Sequence, residues 1–408
     1  MQVPLNELLF ALSRALDFVE QDLLGVTSNH GKRAAYVSAH LCRAMGVSNA
    51  DAFDMACCAV LHDNALTSYM LKAGPGDIRR LEHFQSHCTI GEQNALAFPF
   101  TGDVTGIILH HHENWDGTGF HNLTGEDIPL RAAILRLADN MDLVLKMGNG
   151  RDSLVREMLE HTRALSGRLY SPRVAQALAT VATPEFADKL RDDHIDQALR
   201  EEIPSMRVDL STADLLRVCD IFAYIIDAKS VFTRNHSRGV AALIDRLSRI
   251  CKIEKEKRNR LIIAACLHDV GKLSTPLAIL EKPGPLDDAE FEVMRNHVSV
   301  SEDILNNVRG LEQIAAWCAS HHEKLNGRGY SHRLSGADLS FESRLLACCD
   351  IYQALTEDRP YRSGMNHLQA MDIINGMVAN GELDPEIAGV LAGHGEAANL
   401  NHLSGNSG

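Results

Sequence analysis

The residues able to do chemistry in this chain are histidines and aspartates, and they come in two sets. The first is His30, His62, Asp63, His87, His111, His112 and Asp139; the second is His236, His268, Asp269, His297, His321, His322 and Asp350. Their spacings agree. His30 precedes His62 by 32 residues, as His236 precedes His268; His87 precedes His111 by 24, as His297 precedes His321; Asp139 follows His112 by 27, and Asp350 follows His322 by 28. A lone His-Asp pair is more often a cap or a satisfied core pair than a ligand, but seven groups recurring in register in both halves are not explained that way. Imidazoles and carboxylates without cysteine suit Fe, Mn, Ni or Zn. Seven donors are too many for one tetrahedral ion. They fit two divalent ions about 3.5–4 Å apart, bridged by a carboxylate and by a hydroxide that would attack phosphorus. Asp269 is the expected bridge, because a carboxylate has two oxygens to share and an imidazole one free nitrogen.

A dinuclear centre acting on a phosphoester needs cations beyond its ligands to hold the anion and offset charge at phosphorus. Lys272, three residues after Asp269, is expected on the same side of its helix or helix end. Arg359 and Arg362, three apart and shortly after Asp350, could fork onto phosphate oxygens. The first half departs here: Asn64-Ala65-Leu66 stands where the second has Val270-Gly271-Lys272, and no such arginine pair follows Asp139. The first set is therefore expected to hydrolyse poorly or not at all, while its donors still outline a candidate second metal site.

These groups need rigid carriers, and the carriers read as helices. Leu5 to Val19 and Leu215 to Ile226 carry apolar residues at 3-to-4 spacing, while long Val/Ile/Thr alternations are missing, so the class is mainly α. The repeated spacing makes the chain one helical domain written twice, 1–204 and 205–408, with Pro204 as the break. Of the 408 residues, 45% are apolar and 23% charged, a composition that folds throughout. A net charge of −14 argues against binding polymeric nucleic acid through its phosphates. The ten cysteines lie mostly in apolar stretches without a CxxC, and are read as reduced and buried. Neither a membrane span nor a secretion signal is evident, which predicts a cytoplasmic protein.

Four segments of the second half carry a family resemblance: Leu267-His268-Asp269-Val270-Gly271-Lys272; Ala278 to Leu286; His321-His322-Glu323 with Gly327-Arg328-Gly329-Tyr330; and Asp358-Arg359-Pro360-Tyr361-Arg362. Together they resemble the HD-GYP branch of the HD-domain phosphohydrolases over about residues 210 to 400. The resemblance implies two tandem HD-type helical bundles, the first degenerate and regulatory or structural, the second catalytic. It implies two divalent ions, Fe, Mn or Ni foremost. One would be held by His236, His268, Asp269 and Asp350, the other by Asp269, His297, His321 and His322. Asp269 and Lys272 would be catalytic, and Lys272, Tyr330, Arg359 and Arg362 would contact substrate.

The implied activity is hydrolysis of bacterial cyclic dinucleotides to linear 5′-phosphorylated dinucleotides. The tandem arrangement resembles members that cleave 3′,3′-cyclic GMP-AMP in addition to or instead of cyclic di-GMP. A homodimer fits this reading. Two other readings compete: an HD-superfamily phosphohydrolase of mononucleotides or dNTPs, and a non-catalytic nucleotide sensor, against which Lys272 and the full ligand set argue. Two departures from the family pattern stand out. The position of a third-metal glutamate is Phe232, which implies two metals, and the signature proline after Gly-Tyr is Ser331, so what depends on that proline does not carry across. Glu323 is expected to orient a ligand histidine.

Overall fold

Leucine periodicity becomes helix in the computed structural model, which describes residues 3–68, 81–203, 208–230, 233, 235–358 and 363–395. The helix Leu5–Leu24 buries Leu5, Leu8, Leu9, Leu12, Leu16 and Val19 along one stripe and stops at Gly25, whose φ of 69° is left-handed. Thr212–Asp227 begins at Ser211, whose hydroxyl accepts from the Asp214 N–H. Among the described residues the named strands are Val3–Pro4 and Asp209–Leu210, paired as a two-stranded sheet. The mainly α expectation is met. All ten cysteines are free, and nine of them are buried.

The chain divides into two units, Pro4–Asp209 and Leu210–Gly408 with Met1–Val3. Pro204, the expected break, lies outside the described residues. In the first unit His30–Ala44 packs against Asn49–Val60 and Leu130–Leu145. In the second, His236–Ile250 packs against Lys255–Leu267 and Phe341–Thr356, and Asp288–Asn306 packs against Glu312–Ala319. Leu243, Ile244, Leu247, Leu261, Ile263, Leu345 and Leu346, from these packed helices, are all buried in the second unit's core.

The helices that carry the candidate ligands are held by devices the core does not supply. His30 and His236 are the first residues of their helices. A buried aspartate from the preceding helix caps each: Asp17 accepts from the Gly31 N–H at 3.1 Å, and Asp227 accepts from the Ser237 N–H at 3.0 Å and its hydroxyl at 2.6 Å. Burial raises the Asp227 carboxyl to about 7. Asp288–Asn306, which carries His297, starts with a capping box between Asp287 and Glu290.

The turn Val270–Ser274, which carries Lys272, lies directly on that helix. A Cβ on Gly271 would fall 2.0 Å from the His297 carbonyl oxygen and 2.8 Å from the Ser301 nitrogen. Gly271→Ala should therefore destabilise by about 1–3 kcal/mol through overpacking, seen as a fall of roughly 3–10 °C in Tm for a unit of this size. Gly389→Ala, at a helical site with nothing within 4 Å, should raise or preserve Tm in the same assay.

Candidate metal centre

Three of the second unit's histidines share one local device. His268 Nδ1 bonds the Ala265 carbonyl at 2.8 Å, His297 Nδ1 the Met294 carbonyl at 2.6 Å, and His321 Nδ1 the Cys318 carbonyl at 2.5 Å. Each ring thus spends its outer nitrogen on the carbonyl three residues earlier, which fixes the proton on Nδ1 and points the Nε2 lone pair inward. These three Nε2 atoms are buried without a hydrogen-bond partner, and so is Asp269 Oδ1.

Asp269 stands between two groups. Its Oδ1 lies 3.4 Å from His297 Nε2 and 3.8 Å from His321 Nε2. Its Oδ2 lies 3.3 Å from His268 Nε2, 3.9 Å from His236 Nε2 and 2.5 Å from Lys272 Nζ. Asp350 closes the second group, 2.8 Å from His236 Nε2 and 3.7 Å from His268 Nε2, and its other oxygen lies 3.9 Å from His322 Nδ1. Candidate donor atoms of His236, His268 and Asp350 lie within 4.8 Å of one another, as do those of His297, His321 and His322. All seven expected donors converge. Lys272 points into the same space with its side chain 20% exposed.

Charge divides between the two sides. Burial disfavours a cationic His236, yet its bonds to Asp350 and Glu357 prevail and raise it to about 10. Burial takes His297 down to about 3 and His322 down to about 4. The imidazole-rich side is therefore in the neutral form that a metal ion requires, whereas a proton between His236 and Asp350 takes a position a cation could fill. Burial also disfavours the Lys272 ammonium, but Asp269 and Asp350 outweigh it and its pKa is raised. The donor set, with its unpartnered Nε2 atoms, fits divalent ions bound through nitrogen and oxygen.

Two side chains beside the candidate site escaped the sequence pattern. Glu357 accepts from His236 Nδ1 at 3.0 Å, completing a carboxylate–histidine pair. Arg295 places its guanidinium 6.0 Å from the Tyr330 ring centroid, and that ring lies 4.8 Å from His322. Glu323 corrects an expectation. It does not orient a ligand histidine; its carboxylate accepts from the backbone N–H groups of His332, Arg333 and Leu334 at 2.6–3.1 Å and ties down the loop after Tyr330. Arg359, Arg362 and Phe232 lie outside the described residues.

The first unit gathers its seven expected donors in the same order. His30 Nε2 lies 3.3 Å and His62 Nε2 3.8 Å from Asp139 Oδ1; Asp63 Oδ1 lies 3.3 Å from His87 Nε2 and 3.7 Å from His111 Nε2. His112 lies against His111, ring centroids 4.0 Å apart and planes tilted by 40°. Asp142, also absent from the pattern, bonds His30 Nδ1 at 2.7 Å and the buried Arg33 at 2.7 and 3.0 Å. Leu66 is fully buried. Leu66 stands at the position that Lys272 has in the second unit.

A family model for the HD domain matches this chain twice, over residues 19–174 and 220–387. The chain belongs to the HD-domain family. Among HD-domain relatives, the 3′3′-cGAMP-specific phosphodiesterase 1 of Vibrio cholerae is 30% identical over 405 residues, covering 95% of this chain and 91% of that protein. The 3′3′-cGAMP-specific phosphodiesterase 3 of the same organism is 33% identical over 314 residues, 76% of this chain and 67% of that one. A crystal structure of a cyclic GMP-AMP specific phosphodiesterase from V. cholerae superposes with a TM-score of 0.68 at 27% identity, covering 96% of this chain and 98% of that chain. Among the described residues no helix of this HD-domain protein is long and apolar enough to cross a membrane.

Glu357 supplies a direct check on the geometry. Glu357→Gln keeps the size of the side chain and removes the charge that aligns His236, so it should weaken divalent-metal affinity by about 10–100-fold. Chelator competition with the purified full chain reads that shift.

Proposed function

We propose that the second unit is a metal-dependent phosphodiesterase that opens a cyclic dinucleotide, 3′,3′-cyclic GMP-AMP first and cyclic di-GMP as the alternative, to a linear 5′-phosphorylated product. The observation that carries this reading is Asp269: one oxygen faces His297 and His321, and the other faces His268, His236 and the Lys272 ammonium. That arrangement suits two cations side by side and an anion beside them. The relatives named for cyclic GMP-AMP cleavage support the choice of substrate.

The residues for the metals are His236, His268, Asp350 and Asp269 on one side and His297, His321, His322 and Asp269 on the other. Two divalent ions bound there, with Mn, Fe or Ni as candidates, supply Lewis acidity and a nucleophilic oxygen at neutral pH. The chain's own groups do the rest. Lys272 keeps its proton, so its role is a fixed positive charge beside a non-bridging phosphoryl oxygen, offsetting charge as the bond to the 3′ oxygen breaks. Tyr330 stands over His322 at the cage rim, with Arg295 behind it, where a base or sugar of the dinucleotide would rest. Arg359 and Arg362 are assigned to the phosphates on their sequence pattern alone. Hydrolysis adds one water: its oxygen stays on phosphorus, and the 3′ oxygen leaves as a hydroxyl.

The test is product separation after incubating Mn-loaded protein with 3′,3′-cyclic GMP-AMP, cyclic di-GMP and a dNTP mixture. Linear dinucleotides from a cyclic substrate are expected, and dNTP cleavage without ring opening would overturn the reading. Lys272→Met should lower kcat by about 10²–10³-fold, the scale of losing one preorganised charge at the transition state, with bound metal unchanged by elemental analysis.

A further inference from the structure

The first unit has the donors of a metal cage but, among the described residues, one carboxylate more than the second, and Leu66 at the position of Lys272. Glu20, on the helix Leu5–Leu24, is 1% exposed, and its Oε2 lies 3.9 Å from His30 Nε2 without a hydrogen-bond partner. Equivalent positions follow from the capping aspartates: Glu20 comes three residues after Asp17, and the buried Ser230 comes three after Asp227. A hydroxyl in the second unit is thus a carboxyl in the first. Leu66 meanwhile takes the position of Lys272.

The interior around Glu20 calls for a cation. His62 Nδ1 bonds the Ala59 carbonyl at 2.7 Å and His111 Nδ1 the Ile108 carbonyl at 2.6 Å, so both Nε2 lone pairs point inward. Those two atoms, Asp63 Oδ1 and Glu20 Oε2 are all buried and unpartnered. Each such atom costs about 1–3 kcal/mol if nothing meets it. Donor atoms of His30, His62 and Asp139 lie within 4.8 Å of one another, as do those of His87, Cys88, His111 and His112. Cys88 has no counterpart in the other unit, where Val298 follows His297. Its sulfur lies 3.6 Å from His87 Nε2. A thiol among imidazoles suits zinc better than an all-oxygen and nitrogen set does.

We propose that the first unit is a separate, non-hydrolytic zinc centre in which Glu20 is an added ligand beside His30, His62, Asp63 and Asp139, next to the His87, Cys88, His111 and His112 group, and that the same carboxylate excludes phosphate. A third carboxylate favours a divalent cation and repels a phosphodiester, and the position of the Lys272 ammonium is taken by the apolar Leu66. The centre would clamp Leu5–Leu24, His30–Ala44, Leu81–Leu96 and Leu130–Leu145 to the turn that follows Asn49–Val60. It does not rest on the reading of the second unit.

The experiment is a zinc titration of the chelator-stripped full chain with a competing dye, together with elemental analysis and thermal unfolding. It is run on wild type, Asp269→Ala, Glu20→Gln with Asp269→Ala, and Asp63→Ala with Asp269→Ala. Asp269→Ala protein is expected to retain at least one tight zinc per chain, with a Tm that rises on zinc addition. Glu20→Gln, nearly isosteric and so safe for folding, should weaken that zinc by about 10-fold or more, and Asp63→Ala should abolish it. Loss of all tight zinc in Asp269→Ala alone, or an unchanged affinity in the Glu20→Gln double variant, would overturn the proposal. Equal zinc content in wild type and Asp269→Ala would instead count against a metal centre in the second unit and leave this site standing.

Discussion

Buried imidazoles whose outer nitrogens are already taken impose the constraint on which the second unit turns. His268, His297 and His321 each hold the carbonyl three residues back, so their inner nitrogens have no protein partner. Together with Asp269 Oδ1 they make four buried polar atoms without a bond. At about 1–3 kcal/mol each, that is on the order of the whole stability of a typical domain, about 5–15 kcal/mol. A cation bound to several of these atoms at once would convert the penalty into binding energy and so couple metal loading to stability.

Helix ends account for the way the candidate ligands meet. His236 opens a helix, His268 and Asp269 follow the end of Lys255–Leu267, and His321 and His322 follow the end of Glu312–Ala319. His297 and Asp350 come from helix interiors, carried in by apolar neighbours. Ligands at the ends can approach closely because no further turn of helix intervenes. Their positions then depend on caps such as Asp227 and on loops tied by Glu323. The same two devices recur in the first unit as Asp17, on the Gly31 N–H, and Glu113, on the N–H groups of His121 and Leu123.

Much of the site was legible in the sequence because its spacing is repeated. The intervals of 32 and 24 residues singled out fourteen donors, and all fourteen converge within their own units. What stayed hidden was whatever the two halves do differently. Glu357 follows Asp350 by seven residues, whereas Asp142 follows Asp139 by three, so comparing the halves could not reveal that both orient the first histidine. Glu20 has no acidic counterpart at all. Adjacency misled in the case of Glu323: it follows His322 directly, but the chain turns there and sends its carboxylate to loop N–H groups. Arg295 gave no sequence signal because its relation to Tyr330 arises from folding between distant segments.

The central claim is that two ions flank the Asp269 carboxylate, and anomalous diffraction from crystals of the Mn-loaded full chain, recorded at the metal edge, tests it most directly. The account predicts two peaks in the second unit, one among His236, His268 and Asp350 and the other among His297, His321 and His322, with an oxygen of Asp269 directed at each. A single peak remote from Asp269, or none there under saturating metal, would contradict it.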